Sequence, residues 1–137
     1  LRREVVVRIL VDKGKLKSRT CRREMESVVA LSEWGVNFRQ RQPHNGMTSA
    51  QHEKTWLFDG AYLAVGSMNL THNSVTMCEE AMCFTKEVGA VAAFKEHFEN
   101  LWSKSEVVAS ADLRACMKQH PVRAQSRPAG QSWSTGQ

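Results

Sequence analysis

The chain opens on an almost unbroken apolar run, Val5-Val-Val-Arg-Ile-Leu-Val11, closed by Asp12. Its β-branched content and lack of alternation predict a central strand buried on both faces. A polar stretch follows through Arg19. Apolar positions then return at helical spacing: Met25, Val28, Val29 and Ser32 share one face of a helix expected over 20–34, with Leu31 and Trp34 flanking it. Gly35 stands where such a helix stops. Val36 to Arg39 alternates apolar and polar side chains, which predicts a short strand before a turn region at Pro43-His44-Asn45-Gly46. Strand, helix, strand is the order of a layered α/β domain.

Trp56 to Val65 reads as a hydrophobic hairpin with Asp59-Gly60 at its turn. Ala81 to Phe84 predicts a further buried strand, and a helix over 86–104 repeats Val88, Val91, Phe94, Phe98, Leu101 and Trp102 at steps of three and four, a stripe expected to pack in the core. From Gln119 the composition shifts to Pro, Ser, Gln, Gly and Arg with little to bury, which predicts a disordered tail. The expected fold class is therefore α/β, a layered mixed β-sheet flanked by helices, with one domain over 1–118 and a tail over 119–137. The chain starts on Leu, within a few residues of its first strand, which predicts that the N-terminal part of the domain lies upstream.

Composition refines this picture in three ways. A length of 137 residues suits one domain. The net charge of +5 is unevenly placed: Arg2, Arg3, Arg8, Lys13, Lys15, Lys17, Arg19, Arg22 and Arg23 give residues 1–23 a local +7 against −2 for the remainder. Such a patch suits an anionic polymer or an anionic membrane surface, and equally a solvated loop. No apolar run reaches the roughly 18 residues of a membrane span, and no leader pattern precedes the first strand, so the reading is intracellular. Cys21, Cys78, Cys83 and Cys116 are too sparse to staple a domain, and free thiols packed in a core are expected in a reducing compartment. Cys78, Cys83 and His72 have the spacing of no standard zinc finger.

The chemistry concentrates in His52-Glu53-Lys54 and Gly66-Ser67-Met68-Asn69. On an extended strand His52 and Lys54 point the same way, giving a potential nucleophile beside a positive charge. The hairpin would carry Gly66, Ser67 and Asn69 back toward them, and a glycine permits close backbone approach while the hydroxyl and the amide can donate to phosphate oxygens. Asp59 reads as the residue that sets the turn. His44, His72, His97 and His120 have no comparable surroundings.

The spacing of these residues, with four residues between Lys54 and Asp59 and six between Asp59 and Gly66, resembles the HKD motif of the phospholipase D superfamily, HxK, four residues, Asp, six residues, GSxN. The likeness continues through Ser74 to Glu80, and through the Phe94 to Trp102 segment, although Cys78 stands where the family carries Asn. Over about residues 4–104 the chain is similar to the single-motif members, the bacterial endonuclease type and the mitochondrial cardiolipin hydrolase type. The resemblance implies a phosphodiesterase in which His52 attacks phosphorus and forms a phosphohistidine. Glu80 is then the acceptor for the other ring nitrogen, Lys54, Ser67 and Asn69 are the phosphate-binding groups, and Asp59 and Gly66 are structural. It implies no metal and no cofactor.

The family uses two histidines, and only one HxK is present, so the resemblance implies either a homodimer or the second half of a longer two-motif chain. Substrates in prospect are an anionic phospholipid such as cardiolipin, with Trp56, Leu57, Phe58 and Tyr62 as an apolar rim, or a nucleic acid, with Arg39 and Arg41 extending the basic track. A catalytically silent binding module is a third reading. Association with a membrane surface follows from the lipid reading, at the mitochondrion or in the cytoplasm.

Overall fold

The computed structural model describes residues 5–18, 22–43 and 49–119. Strand β1 (Arg8–Asp12) leads through a single turn, α1 (Lys13–Leu16), into helix α2 (Arg22–Glu33) and then strand β2 (Asn37–Arg41). β1 and β2 are parallel, with Ile9 beside Phe38 and Val11 beside Gln40, so the expected strand, helix, strand unit is present. Hairpin β3 (Thr55–Phe58) and β4 (Tyr62–Gly66), the short α3 (His72–Thr76), β5 (Met82–Thr85), the long α4 (Val88–Ser103), β6 (Glu106–Val107) and α5 (Ser110–Gln119) complete the order. The strands form two three-stranded sheets, β1-β2-β6 and β3-β4-β5, the first mixed and the second antiparallel.

The period of two along β2 assigns the layers. Phe38 turns into a core with Leu16, Met25, Val28, Val29, Val108 and Leu113, contributed by α1, α2, α5 and the segment before α5. Arg39 points the other way, toward α4, where Nη1 donates to the Trp102 carbonyl at 2.7 Å and the guanidinium lies 5.0 Å from the indole. Arg8 stacks from β1 onto Phe98 and Trp102 at 5.1 and 5.3 Å and pairs with Glu99. Ring stacking under two guanidinium groups thus accounts for Trp102 as a structural residue. The layers run α2 and α5, sheet, α4.

Several expectations need correction. The first strand begins at Arg8, Val5 and Val6 are exposed, and among the described residues β1 is an edge of its sheet rather than its centre. Its apolar character comes instead from cover on both faces: Ile9 and Val11 pack on the core while Arg8 lies under α4. Trp34 flanks α2 but stays 83% exposed, whereas Ser32, on the apolar face, satisfies its hydroxyl by donating to the Val28 carbonyl. β5 is an exposed edge strand, with Phe84 73% exposed, and not a buried one. The α4 stripe is half-buried: Val91 alone is fully covered, and Val88 is 81% exposed, because a helix lying across two small sheets meets neither along its whole length. Cys78 and Cys83 sit at the surface instead of in a core. β6 and α5 have no counterpart in the expected elements, although Leu113 is, among the described residues, one of two side chains with 0% exposure. Gln119 closes α5, and the rest of the expected tail, Cys21, and the turn residues 44–46 lie outside the described residues.

Candidate functional site

The hairpin delivers the motif. Thr55 to Phe58 pair with Val65 to Tyr62, and the turn between them has positive φ at both central residues, 51° at Asp59 and 67° at Gly60. That is the mirror-image turn whose twist matches paired strands, and it is why Asp-Gly stands there. Ala61 N–H closes it on the Phe58 carbonyl at 3.0 Å. Pairing continues one step past the strand ends, with Gly66 N–H donating to the Lys54 carbonyl at 3.1 Å. Lys54 and Gly66 therefore stand side by side.

Gly66 pairs with Met82 at one end of the β4–β5 ladder. A Cβ on this residue would run into the Ala81 carbonyl oxygen and the Met82 sulfur, so only glycine lets the strands close. Closure places Ser67 N–H on the Ala81 carbonyl at 3.0 Å and Ala81 N–H on Ser67 Oγ at 3.1 Å. The serine hydroxyl then donates to Glu80 Oε2 at 2.5 Å.

The other Glu80 oxygen accepts from the hydroxyl of Ser74, a residue of α3 that is 4% exposed. Ser74 Oγ also accepts the backbone N–H of Asn69 at 2.9 Å, and Ser74 N–H is capped by Thr71 Oγ1 at 3.3 Å. Asn69, Ser74, Glu80, Ser67 and Ala81 thus form one chain of hydrogen bonds. Donation by Ser67, then by Ser74, with a smaller pull from the Lys54 charge, holds the Glu80 carboxyl below its ordinary range. Burial lowers Lys54 and the charge of Glu80 works against that. Lys54 Nζ donates to the His52 carbonyl at 2.7 Å.

Alternation separates the neighbours of this group. Glu53 reaches His97 on α4 at 2.9 Å, so Glu53 faces α4 and Lys54 faces away from it. The segment ahead of His52 is tied down by Asp12 at the end of β1, whose carboxylate accepts Gln51 N–H at 2.7 Å and Lys15 N–H at 2.6 Å. The imidazole of His52 is exposed and, among the described residues, has no hydrogen-bond partner.

The structure therefore brings Lys54, Ser67, Asn69 and Glu80 together and sets His52 beside Lys54 through the main chain. The hydrogen bonds of Glu80 go to two serines rather than to the imidazole. Asp59 lies at the turn, and Gly66 lies opposite Met82, where there is no room for a Cβ. The sequence reading assigned no role to Ser74 or Asp12. Ser74 stands in the stretch that continues the motif, and Asp12 is a helix-capping residue type at the end of a strand, but nothing in their spacing points to Glu80 or Gln51.

Two features surround the site. Trp56, Phe58, Tyr62 and Phe84 fall on the Lys54 face of the second sheet, with Trp56 and Phe58 stacked at 6.5 Å and Lys86 Nζ 4.7 Å from the Tyr62 ring. A shallow cavity of about 150 Å³ lies among Tyr62, Leu63, Phe84, Thr85 and Lys86. The basic N-terminal stretch is partly neutralised, because Arg8, Lys13 and Arg22 pair with Glu99, Glu106 and Glu26. Among the described residues no cluster of three or more His, Cys, Asp or Glu could hold a metal ion, and no helix is long and apolar enough to cross a membrane.

Comparison with known proteins adds three findings. A family model described as "Cardiolipin synthase, PLD-like domain" matches residues 1–102. The chain is 31% identical over 107 residues to a mitochondrial cardiolipin hydrolase of Danio rerio, a match covering 77% of this chain and 43% of that protein, so the chain spans less than half of that relative. The fold is similar to the crystal structure of a phospholipase D family member, Nuc from Salmonella typhimurium, with a TM-score of 0.63 at 21% identity, covering 77% of this chain and 66% of the other.

Proposed function

Since the chain belongs to the phospholipase D superfamily, within the family of cardiolipin synthase PLD-like domains, we propose that it is a phosphodiesterase that cleaves an anionic phospholipid through a phosphohistidine at His52. The observation that carries this reading is the joining of Ser67, Asn69 and Glu80 in one hydrogen-bond network at the end of the β3–β4 hairpin, with the Lys54 charge acting on Glu80 and its ammonium bonded to the His52 carbonyl. A neutral ring nitrogen of His52 attacks phosphorus, the bond to the leaving alkoxide breaks, and the phosphoryl group stays on the imidazole until water displaces it. Lys54 neutralises charge on the phosphoryl oxygens, the Asn69 side-chain amide donates to them, and Ser67 adds a donor once phosphate competes with Glu80 for its proton. Glu80 keeps the loop in shape. Asp12 holds the chain entering His52.

Protonation of the leaving group calls for a second histidine. In this proposal a second copy supplies it, the two motifs facing each other across a twofold axis. The alternative source is another motif in a longer chain.

A lipid substrate is favoured by the aromatic side chains on the Lys54 face, which give acyl chains a surface continuous with the phosphate site. The same rings could stack bases, so cleavage of nucleic acid is the second reading. The Danio rerio relative is named as mitochondrial, and a membrane surface carrying cardiolipin is the location that fits the lipid reading.

The test is incubation with a diester labelled in its phosphoryl group, followed by rapid denaturation. Wild-type protein should carry label on His52 and His52→Asn should not. Binding without label in either protein would replace the enzyme with a silent binding module. Vesicles containing cardiolipin and single-stranded DNA, offered side by side, rank the two substrates by which one is cut.

A further inference from the structure

Ser74 is a buried hydroxyl whose oxygen touches both halves of the loop that follows the hairpin. It accepts the Asn69 N–H at 2.9 Å and donates to Glu80, whose second oxygen takes the proton of Ser67 at 2.5 Å. Asn69 and Ser67 are the two neutral donors of the proposed phosphate site, and no hydrogen bond joins one to the other among the described residues. Glu80 and Ser74 connect them. From this geometry we infer that Ser74 is a positioning residue, clamping the Glu80 carboxylate and the Asn69 backbone so that the Gly66–Asn69 loop keeps one shape.

The clamp works best with Glu80 as an anion, because each serine donates to a different carboxylate oxygen and protonation turns one of those oxygens from an acceptor into a donor. Both donations favour the ionised form, and loss of one of them moves the Glu80 titration toward its ordinary value. Removal of Ser74 therefore acts most strongly in acid, where Glu80 takes up its proton first. It also leaves the Asn69 N–H without its acceptor. The position of α3, capped by Thr71, makes Thr the natural conservative replacement, since it keeps the oxygen.

The catalytic arm of the test rests on the phosphodiesterase reading, so a second arm does not use activity. In nuclear magnetic resonance titrations of the wild-type chain, the Glu80 carboxyl carbon and the Asn69 amide should report one common midpoint. Ser74→Ala should raise the Glu80 midpoint and uncouple the Asn69 amide from it, and Ser74→Thr should restore both. An unchanged midpoint with the amide still coupled overturns the inference. In diester hydrolysis, Ser74→Ala should shift the acid limb of kcat/KM to higher pH, with a loss of roughly tenfold on that limb, the scale of one charge-assisted hydrogen bond. An equal loss at every pH, with the limb in place, also overturns it. If no diester is cut by wild type, the phosphodiesterase reading fails while the titration still decides the role of Ser74.

Discussion

Gly66→Ala is the smallest change that tests how the hairpin builds the site. The added methyl has nowhere to go: it meets the Ala81 carbonyl oxygen, part of the main chain, and the Met82 sulfur, part of a flexible side chain. The sulfur can swing away but the carbonyl moves only if β5 moves, and overpacking of this kind costs about 2 kcal/mol. With an unfolding entropy of about 0.3 kcal/mol/K for a chain of this length, the melting temperature should fall by roughly 7 °C. Displacing β5 also stretches the bonds from Ser67 N–H to the Ala81 carbonyl and from Ala81 N–H to Ser67 Oγ, now 3.0 and 3.1 Å. A shift of about 1 Å at such a position lowers phosphoryl transfer on the order of a hundredfold. Thermal melting by circular dichroism and the rate of His52 labelling measure the two effects on the same sample. The double variant Gly66→Ala with Met82→Ala relieves the sulfur contact alone and should recover only a small part of either loss. A single variant that melts within about 1 °C of wild type and labels at the wild-type rate would refute the steric argument.

Glu80→Gln should change how stability depends on pH. The folded carboxyl sits below its ordinary value, so its contribution is full above that value, about 4.3, and is lost as pH falls through the lower folded value. Urea melts between pH 3 and pH 6 should show wild type losing stability on acidification more steeply than the variant. Asp12→Ala removes the acceptor of both Lys15 N–H and Gln51 N–H, and should cost about 1 kcal/mol of stability, the scale of a lost helix cap, together with a larger proportional loss of His52 labelling. Leu113→Ala empties a site of 0% exposure and should destabilise by about 2–5 kcal/mol in chemical denaturation, with the per-molecule labelling rate of the folded protein retained.

Much of the fold was legible where a local rule and the tertiary context agree. The parallel unit of β1, α2 and β2 follows from one apolar run and one helical stripe, and Met25, Val28 and Val29 are buried as their spacing predicts. Asp59-Gly60 announced its turn through one of the few dipeptides that tolerate two positive φ values cheaply. Periodicity failed where burial depends on what lies across the gap. Phe84 and Val88 read as core residues, yet both face solvent, because apolar character in a sequence does not say whether a neighbour arrives to cover it. α5 escaped notice because its single fully buried anchor, Leu113, is set among small and charged residues. At the site, residue types and spacing fixed who is present but not who bonds whom. Glu80 gives its oxygens to Ser67 and Ser74, a choice made by the path of α3 and invisible in the linear pattern.

Among the described residues the sheet that carries the hairpin terminates at Met82–Thr85, a strand with one row of backbone amides and carbonyls unmatched by another strand and with Phe84 and Cys83 exposed. No lysine or proline interrupts it. Such a border recruits extended segments from other molecules, so concentrated, non-reducing solutions should accumulate aggregates seeded along this strand. Phe84→Lys would blunt the border while leaving the β3–β4 pairing in place, and light scattering over days would register the difference.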